Sequence, residues 1–420
     1  MKYPILHPSF ISRLNKLLHL DSLYFIKGGL LGITQQLIGV SCGLTISYLF
    51  GHYVSKQVFG EYTLVLSVLG LFNFLGLPDI DIPLTRSITQ GYEGSLGSTV
   101  KIKLKLAILG IPFLLGFSVY YFMTSKMQVA QAVLVATLLF PFINTFTSYP
   151  AYLTGKRKFV ILTLSSILAS IFFLLIVAIG IFLIPTTLGL VTFYLIALII
   201  PAYVTFQFCQ KYLIKNHRSD PHLLSYGTFL TLLSVLPWIS GNLGSVILGT
   251  HIGAETLAIY AVASRFLTAV QKNFIVFYKP MTAKVAAQNN REQRQTLNQH
   301  WLKMVLLGLI LFALLWLMIP FLITVFFTEK YASAIIYGKW LSLALIPLPL
   351  NWLVSDIIIY QKKAKTQFVK STFPNIIKIC LYLLIIPIWK IEGLVFLTIV
   401  DRFTEPIIPI ISIIRSGDKN

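Results

Sequence analysis

Residues 159–184 read FVILTLSSILASIFFLLIVAIGIFLI, twenty-six consecutive positions without a charge. A helix needs about 20 apolar residues to cross the hydrocarbon core of a bilayer, and backbone placed in lipid must satisfy its own hydrogen bonds. A run of this length is therefore a membrane-crossing helix, and similar runs recur along the whole chain. Only 11% of the 420 residues are charged, against roughly 25% in soluble domains. That leaves too little polar surface to coat a soluble globule. The fold class is all-α, and the chain is a polytopic membrane protein.

Apolar runs between polar breaks predict twelve spans: 25–50, 60–78, 104–123, 128–153, 159–183, 188–209, 224–249, 255–279, 303–327, 336–359, 371–389 and 392–414. Lys and Arg exceed Asp and Glu by 34 to 14, for a net charge of +20. In a soluble protein such an excess points to nucleic acid. Here it follows topology instead. With a cytoplasmic N-terminus, 25 of the basic residues fall in inner segments, including the loop cations Lys101, Lys103 and Lys105 and the triplet Lys156, Arg157 and Lys158, and 5 fall outside. This is the positive-inside pattern; it puts both termini in the cytoplasm and leaves nucleic acid unneeded. Residues 1–24 form an N-terminal segment, read either as a short helix on the membrane surface or as an unstructured tail. No cleavable signal peptide is visible in it. Cys42, Cys209 and Cys380 are far apart in apolar surroundings, with neither metal-ligand spacing nor a disulfide framework.

The chain also repeats itself. VFGEYTLVLSV (58–68) aligns with TLAIYAVASRF (256–266), pairing Tyr62 with Tyr260, and YLTGKRKF (152–159) parallels YQKKAKTQF (360–368). PTTLGLV (185–191) parallels PIWKIEGLV (387–395) in the same order. A six-helix offset preserves orientation, so two parallel lobes related by an axis along the membrane normal are expected. The boundaries read as 25–210 for the N-lobe, 211–223 for a cytoplasmic linker, 224–415 for the C-lobe and 416–420 for the tail.

Seven charges lie inside spans of the second lobe: Arg265, Lys272, Asp356, Lys378, Asp401, Arg402 and Glu405. Each costs roughly 2.5–3.5 kcal/mol at the bilayer centre. Together, facing lipid, they would cost on the order of 20 kcal/mol, more than the ~5–15 kcal/mol by which a typical fold is stable. They must face protein or water. Arg265 and Lys272 are two turns apart and share one face of span 8. Two readings stay open. The carboxylates can neutralise the cations pairwise, as the i, i+3 spacing of Arg402 and Glu405 allows. Alternatively, the surplus of cations faces a wet cleft and holds an anion, for which Arg offers a bidentate fork. In the second reading Arg265, Lys272, Arg402 and Lys378 are the candidate contacts for an anionic substrate. Asp401, Glu405 and Asp356 are the carboxylates of the set, and Asn144 is one of the few polar groups inside the first-lobe spans. Pro237, Gly241 and Gly244 interrupt span 7 and are expected to act as a hinge, although close helix packing would also account for the glycines.

The segment VFGEYTLVLSVLGLFNFLGLPDIDIPLTRSITQGYEGS (58–95), together with HIGAETLAIYAVASRFLTAV (251–270) and the LTGKRKF and YQKKAKTQF loops, resembles the oligosaccharide flippases of the multidrug/oligosaccharidyl-lipid/polysaccharide (MOP) exporter superfamily. The likeness extends over about residues 22–415. It implies a V of two six-helix lobes around a cationic lumen, in the bacterial cytoplasmic membrane. The cargo it implies is a polyprenyl-diphosphate-linked oligosaccharide of the O-antigen or polysaccharide type, moved from the inner to the outer leaflet by alternating access. For that cargo the resemblance implies diphosphate contacts at Arg265, Lys272, Arg402 and Lys378 with Arg86 at the inner mouth, glycan contact at Asn144, and ion coupling through Asp401, Glu405 or Asp356. Enzymes of polysaccharide biosynthesis would be partners, together with membrane lipids. No organic cofactor is implied, only coupling to a Na+ or H+ gradient. Where family members often carry an Asp followed by Lys or Arg in the seventh helix, this chain has Gly244 and Ser245, which shifts the expected coupling role to Asp401 and Glu405.

An enzyme is not expected. A membrane-embedded polymerase or glycosyltransferase is the alternative from another class, but every predicted outer loop is short and neither H-E-x-x-H nor G-x-S-x-G occurs. A drug exporter of the same superfamily is the other alternative; cationic drugs would favour an acidic cavity, and this one reads as basic.

Overall fold

The computed structural model describes residues 22–286, 288–361 and 364–416. The expected interfacial segment therefore lies outside the described residues as far as position 21, as do Lys362, Lys363 and residues 417–420. No strand occurs among the described residues. The first lobe holds α1 (Ser22–Tyr53), α2 (Lys56–Leu71, resumed after a break at Asp81–Thr89), α3 (Ser95–Ile108 with Ile111–Met123), α4 (Met127–Ile143), α5 (Phe159–Leu183) and α6 (Thr187–Phe208). The second holds α7 (Leu223–Ile247), α8 (Ala254–Ala286), α9 (Asn290–Phe327) and α10 (Ala334–Ser342 with Leu348–Tyr360). The run Ala364–Thr404 is turned at Lys390 (φ 49°, ψ −129°) into α11 (364–389) and α12 (391–404), and Ile407–Ser416 extends the latter.

Among the described residues eight stretches are long and apolar enough to cross a membrane, or nine with the bent pair of α2. One of the eight, Thr366–Ile414, contains both α11 and α12. With the shorter α4 and the charge-bearing α8, the chain makes the twelve passages expected. Large side chains stand exposed along the outside, among them Leu168, Leu175 and Phe182 on α5 and Leu314, Leu317 and Phe321 on α9. An apolar surface of that extent belongs in lipid.

Local chemistry sets the helix ends. Ser55 accepts from the Val58 N–H to start α2, Thr186 does the same for α6 through Gly189, and Asn289 with Glu292 forms a capping box on α9. The sequence reading ran span 2 on to residue 78. In the structure α2 stops at Leu71 and turns by 57°. Pro78 has no N–H to give and disfavours helix in the residue before it, and Leu77 sits left-handed at φ 45°. Helix α7 stays helical through Pro237, while Gly244 packs against Leu394 and Tyr382 so closely that a side chain would not fit. Gly241 faces open space.

The six-helix repeat is visible in the packing: α1 lies along α5, and its equivalent α7 lies along α11. Between the lobes the symmetry is broken. Helix α2 packs along both α8 and α7, whereas the pair equivalent to α2–α7, namely α1 and α8, is parted. At the end of the bundle holding Val54, the lobes meet tightly. Lys330 Nζ donates to the Val54 carbonyl at 2.9 Å, Lys126 Nζ to the Thr250 carbonyl at 2.6 Å, and the Tyr121 and Thr250 hydroxyls share a bond of 2.9 Å. Phe59 meets the rings of Phe327 and Tyr331 across the interface. One continuous hydrophobic core runs through both lobes here. At Gly60 and Gly51 the backbones approach so closely that a Cβ would strike the carbonyls of Ala254 and Phe326.

At the opposite end, the inter-lobe linker is fastened to the first lobe. Glu93 receives the Lys156 ammonium at 2.5 Å and the Lys215 N–H at 2.6 Å. Asp220 accepts from Ser87 Oγ at 2.6 Å, and Gly94 N–H donates to the Arg218 carbonyl. Burial alone would push the Glu93 carboxyl up, but the hydrogen bonds from Lys156 and Lys215 overcome it and hold the group below the usual carboxylate range.

Two outcomes follow. Gly60→Leu should wedge the Val54 end apart, lengthening the spin-label distance between Lys56 and Glu329; an unchanged distance would show that the contact tolerates bulk. The lowered Glu93 pKa stabilises the docked linker above the ordinary carboxylate value of about 4.3, and that contribution fades as pH falls through the lower folded value. Proteolysis within 211–222 should therefore accelerate in acid, and Glu93→Gln should be cut faster already at neutral pH.

Candidate functional site

The parting of α1 and α8 leaves a cleft of about 710 Å³, closed toward Val54 and open toward the Lys-rich loops. Gln36, Gly39, Gly43 and Ser47 line it from α1, and Arg265, Thr268, Lys272 and Asn273 from α8. Small residues on α1 keep that wall low. Arg265 sits about eleven residues into α8, near mid-depth, yet its side chain is exposed, because the cleft reaches it. Its Nε donates to Ser47 Oγ across the lobes at 3.0 Å. The other guanidinium donors and the Lys272 ammonium meet no carboxylate: among the described residues neither side chain has an ion pair, and no Asp or Glu lines the cleft. Two cations without carboxylate partners in an open gap between low-dielectric walls make a focused positive field.

Arg265 is also where three cavities meet. A side pocket of about 430 Å³ runs into the first lobe past Thr147, Tyr149 and Ser170, and a smaller chamber of about 230 Å³ lies beyond Arg265 toward the closed end.

The other residues singled out from sequence lie elsewhere. Lys378 is bound to Asp401 at 2.8 Å and stands over the Tyr382 ring. That pair lines a separate pocket of about 270 Å³ between α11 and α12, walled by Phe373, Ile377, Leu381 and Leu397. Arg402 pairs with Glu405 at 3.2 Å, as their i, i+3 spacing allows, and Lys370 and Asn351 also reach Glu405. Thus Lys378 and Arg402 are not brought to Arg265; each has an acidic partner within its own lobe. Asp356 on α10 has one buried oxygen without a hydrogen-bond partner. Arg86 is exposed on the bent half of α2, close enough to Asp220 to feel its charge, and lines no part of the cleft. Asn144 donates to Asn73 Oδ1 at 3.1 Å, above the break in α2. Lys103 was counted as a loop cation in the sequence reading. It lies instead on α3, which starts at Ser95, and is buried against Asp81 at 3.1 Å. Ser47 was missed altogether; a serine in an apolar helix carries no signal until its partner is known.

Residues 25–284 match the family described as polysaccharide biosynthesis protein. The chain belongs to that family. The matched segment runs from α1 to α8 and so contains both cleft cations, while the paired charges at 378–405 lie beyond it. Solved structures share the fold over almost the whole chain. A multidrug resistance MATE family transporter of the MOP superfamily, in its inward-facing conformation, is 14% identical with a TM-score of 0.71, over 92% of this chain and 96% of that one. A MOP superfamily transporter from Pyrococcus furiosus, described as having a binding pocket of reverse polarity suggesting a different function, gives 14% and 0.65 over 90% and 94%. An outward-facing multidrug resistance MATE family transporter of the MOP superfamily gives 13% and 0.61, over 92% and 95%. No curated protein matches the sequence. Membership of the family and the MOP fold accord with the resemblance seen in the motifs of α2 and α8.

Asp401→Asn would leave the Lys378 ammonium alone in an apolar pocket. The expected loss of stability is on the order of 3 kcal/mol, read as a lowered Tm in detergent. Replacing both, as Lys378→Met with Asp401→Leu, should restore most of it.

Proposed function

We propose that the protein is a lipid-linked oligosaccharide flippase, carrying a polyprenyl-diphosphate-linked glycan from the inner to the outer leaflet by alternating access. The observation that carries this reading is the cleft itself, with Arg265 and Lys272 free of carboxylates. A diphosphate brings two negative charges and several acceptor oxygens, which suit a guanidinium fork and a nearby ammonium. The family is one of polysaccharide biosynthesis, which fits a glycan cargo. A cationic drug would meet repulsion in the same cleft, which counts against the exporter alternative.

The charge bias of the loops assigns the open end to the cytoplasm, so this conformation is open inward. The parted seam between α1 and α8 then gives the polyprenyl tail a way to stay in the bilayer while the headgroup enters. Outward opening requires the contacts of Gly60, Phe59 and Lys330 with their partners to separate, while a new contact closes α1 on α8. Coupling to a Na+ or H+ gradient is part of the proposal, with Asp401, Glu405 and Asp356 as the carboxylates that would sense the ion. Asp356 is the one of these without an ion pair among the described residues.

Arg265→Gln should reduce flipping of a glycosylated polyprenyl diphosphate in proteoliposomes at least about a hundredfold, as expected for losing a charge-assisted bidentate contact. Lys272→Gln should cost less, since the ammonium supplies a point charge. Wild-type flipping by Arg265→Gln, at equal protein abundance, would remove the reading.

A further inference from the structure

The chamber beyond Arg265 has a composition unlike the rest of the cleft. Its walls are rings: Phe50 and Phe59 at the closed end, Tyr62 from α2, and Phe173 and Tyr194 from α5 and α6. Tyr194 stands edge-on to both Tyr62 and Phe173, at 5.7 and 5.3 Å between ring centres. Tyr62 is only 7% exposed. Among the described residues neither tyrosine hydroxyl has a hydrogen-bond partner, and both line the cavity rather than being sealed from it. Two hydroxyls that open together onto one small space leave hydrogen-bond groups there for a ligand or water to satisfy. Arg265 forms the chamber's floor and keeps its terminal guanidinium donors free, since the bond to Ser47 uses only Nε.

Aromatic faces with a few placed donors and acceptors suit one ligand chemistry above others. A pyranose ring has apolar C–H faces, which pack on aromatic rings, and a rim of hydroxyls, which need hydrogen-bond partners. The chamber has no carboxylate or second cation, and at about 230 Å³ it is the smallest of the three connected spaces. It also lies on the far side of Arg265 from Lys272, and so ahead of any phosphate held between those two cations.

From this arrangement we infer that the chamber is a subsite for a single neutral hexopyranose, the sugar joined directly to the diphosphate, with Tyr62 and Tyr194 as its specificity-determining residues. The rest of the glycan turns aside into the 430 Å³ pocket by Thr147 and Ser170, which shares Ile46, Phe173 and Arg265 with the chamber. This inference rests on the phosphate-lipid reading of the cleft and adds the first sugar to it.

The test uses full-length protein in lipid nanodiscs and four probes: a bare polyprenyl diphosphate, and the same lipid carrying one glucose, galactose or N-acetylglucosamine. At least one glycosylated probe should bind about fivefold or more tightly than the bare lipid, as one or two new hydrogen bonds would give. The ratio of the two affinities should fall toward one in the Tyr62→Phe Tyr194→Phe variant, which keeps both rings. If wild-type protein binds the bare lipid as tightly as every glycosylated one, or if the preference survives in the double variant, the chamber assignment is overturned while the phosphate reading stands. If wild-type protein binds no probe, the phosphate reading falls and takes the chamber with it.

Discussion

A guanidinium halfway through a membrane is tolerable only where water or an anion can reach it, and the structure around Arg265 is organised to allow that. The small residues Gly39 and Gly43 on α1 keep the facing wall back, α1 and α8 stand apart, and Asp401 and Glu405 of the second lobe are paired elsewhere. Were Asp401 or Glu405 directed into the cleft, the field there would be cancelled and the gap would lose its preference for anions. The positive charge of the cleft therefore goes together with the pairing of Asp401 and Glu405 to other cations, Lys378 and Arg402. Structural ion pairs and the free cations are parts of one arrangement.

The same opening depends on closure at the other end. Glycines at 51 and 60 let backbones from opposite lobes touch, and the aromatic cluster of Phe59, Phe327 and Tyr331 fills the remaining space. These contacts are van der Waals in character, with few hydrogen bonds across them, and so can separate without stranding many polar groups. The linker is the opposite case. Glu93 and Asp220 tie residues 215–222 to the first lobe through charge-assisted hydrogen bonds.

Much of the architecture was legible from sequence because lipid imposes a simple rule. Apolar run length gave twelve passages, and the offset between the Tyr62 and Tyr260 motifs gave two lobes. Helix breaks were less legible. Pro78 and Pro237 look alike in the sequence, yet α2 breaks and α7 continues, because the first proline follows a left-handed leucine and the second is held in a packed helix. Charge position found Arg265 and Lys272 but could not separate them from Lys378 and Arg402, since pairing is decided by which helices become neighbours. Lys103 shows the converse error: a lysine beside Lys101 and Lys105 reads as loop, and only the extent of α3 reveals that it is buried. Of the chamber's tyrosines, Tyr62 stood out only as a repeat position and Tyr194 not at all, for aromatic residues in a membrane helix are ordinary lipid-facing or core material.

The seam between α1 and α8 carries one more implication. On the proposed reading, hydrocarbon that slides along an open slot is never enclosed, so a carrier of this kind would take no measure of how many isoprene units follow the diphosphate. Substrates differing only in tail length or saturation would be handled alike, and selection would be confined to the polar head.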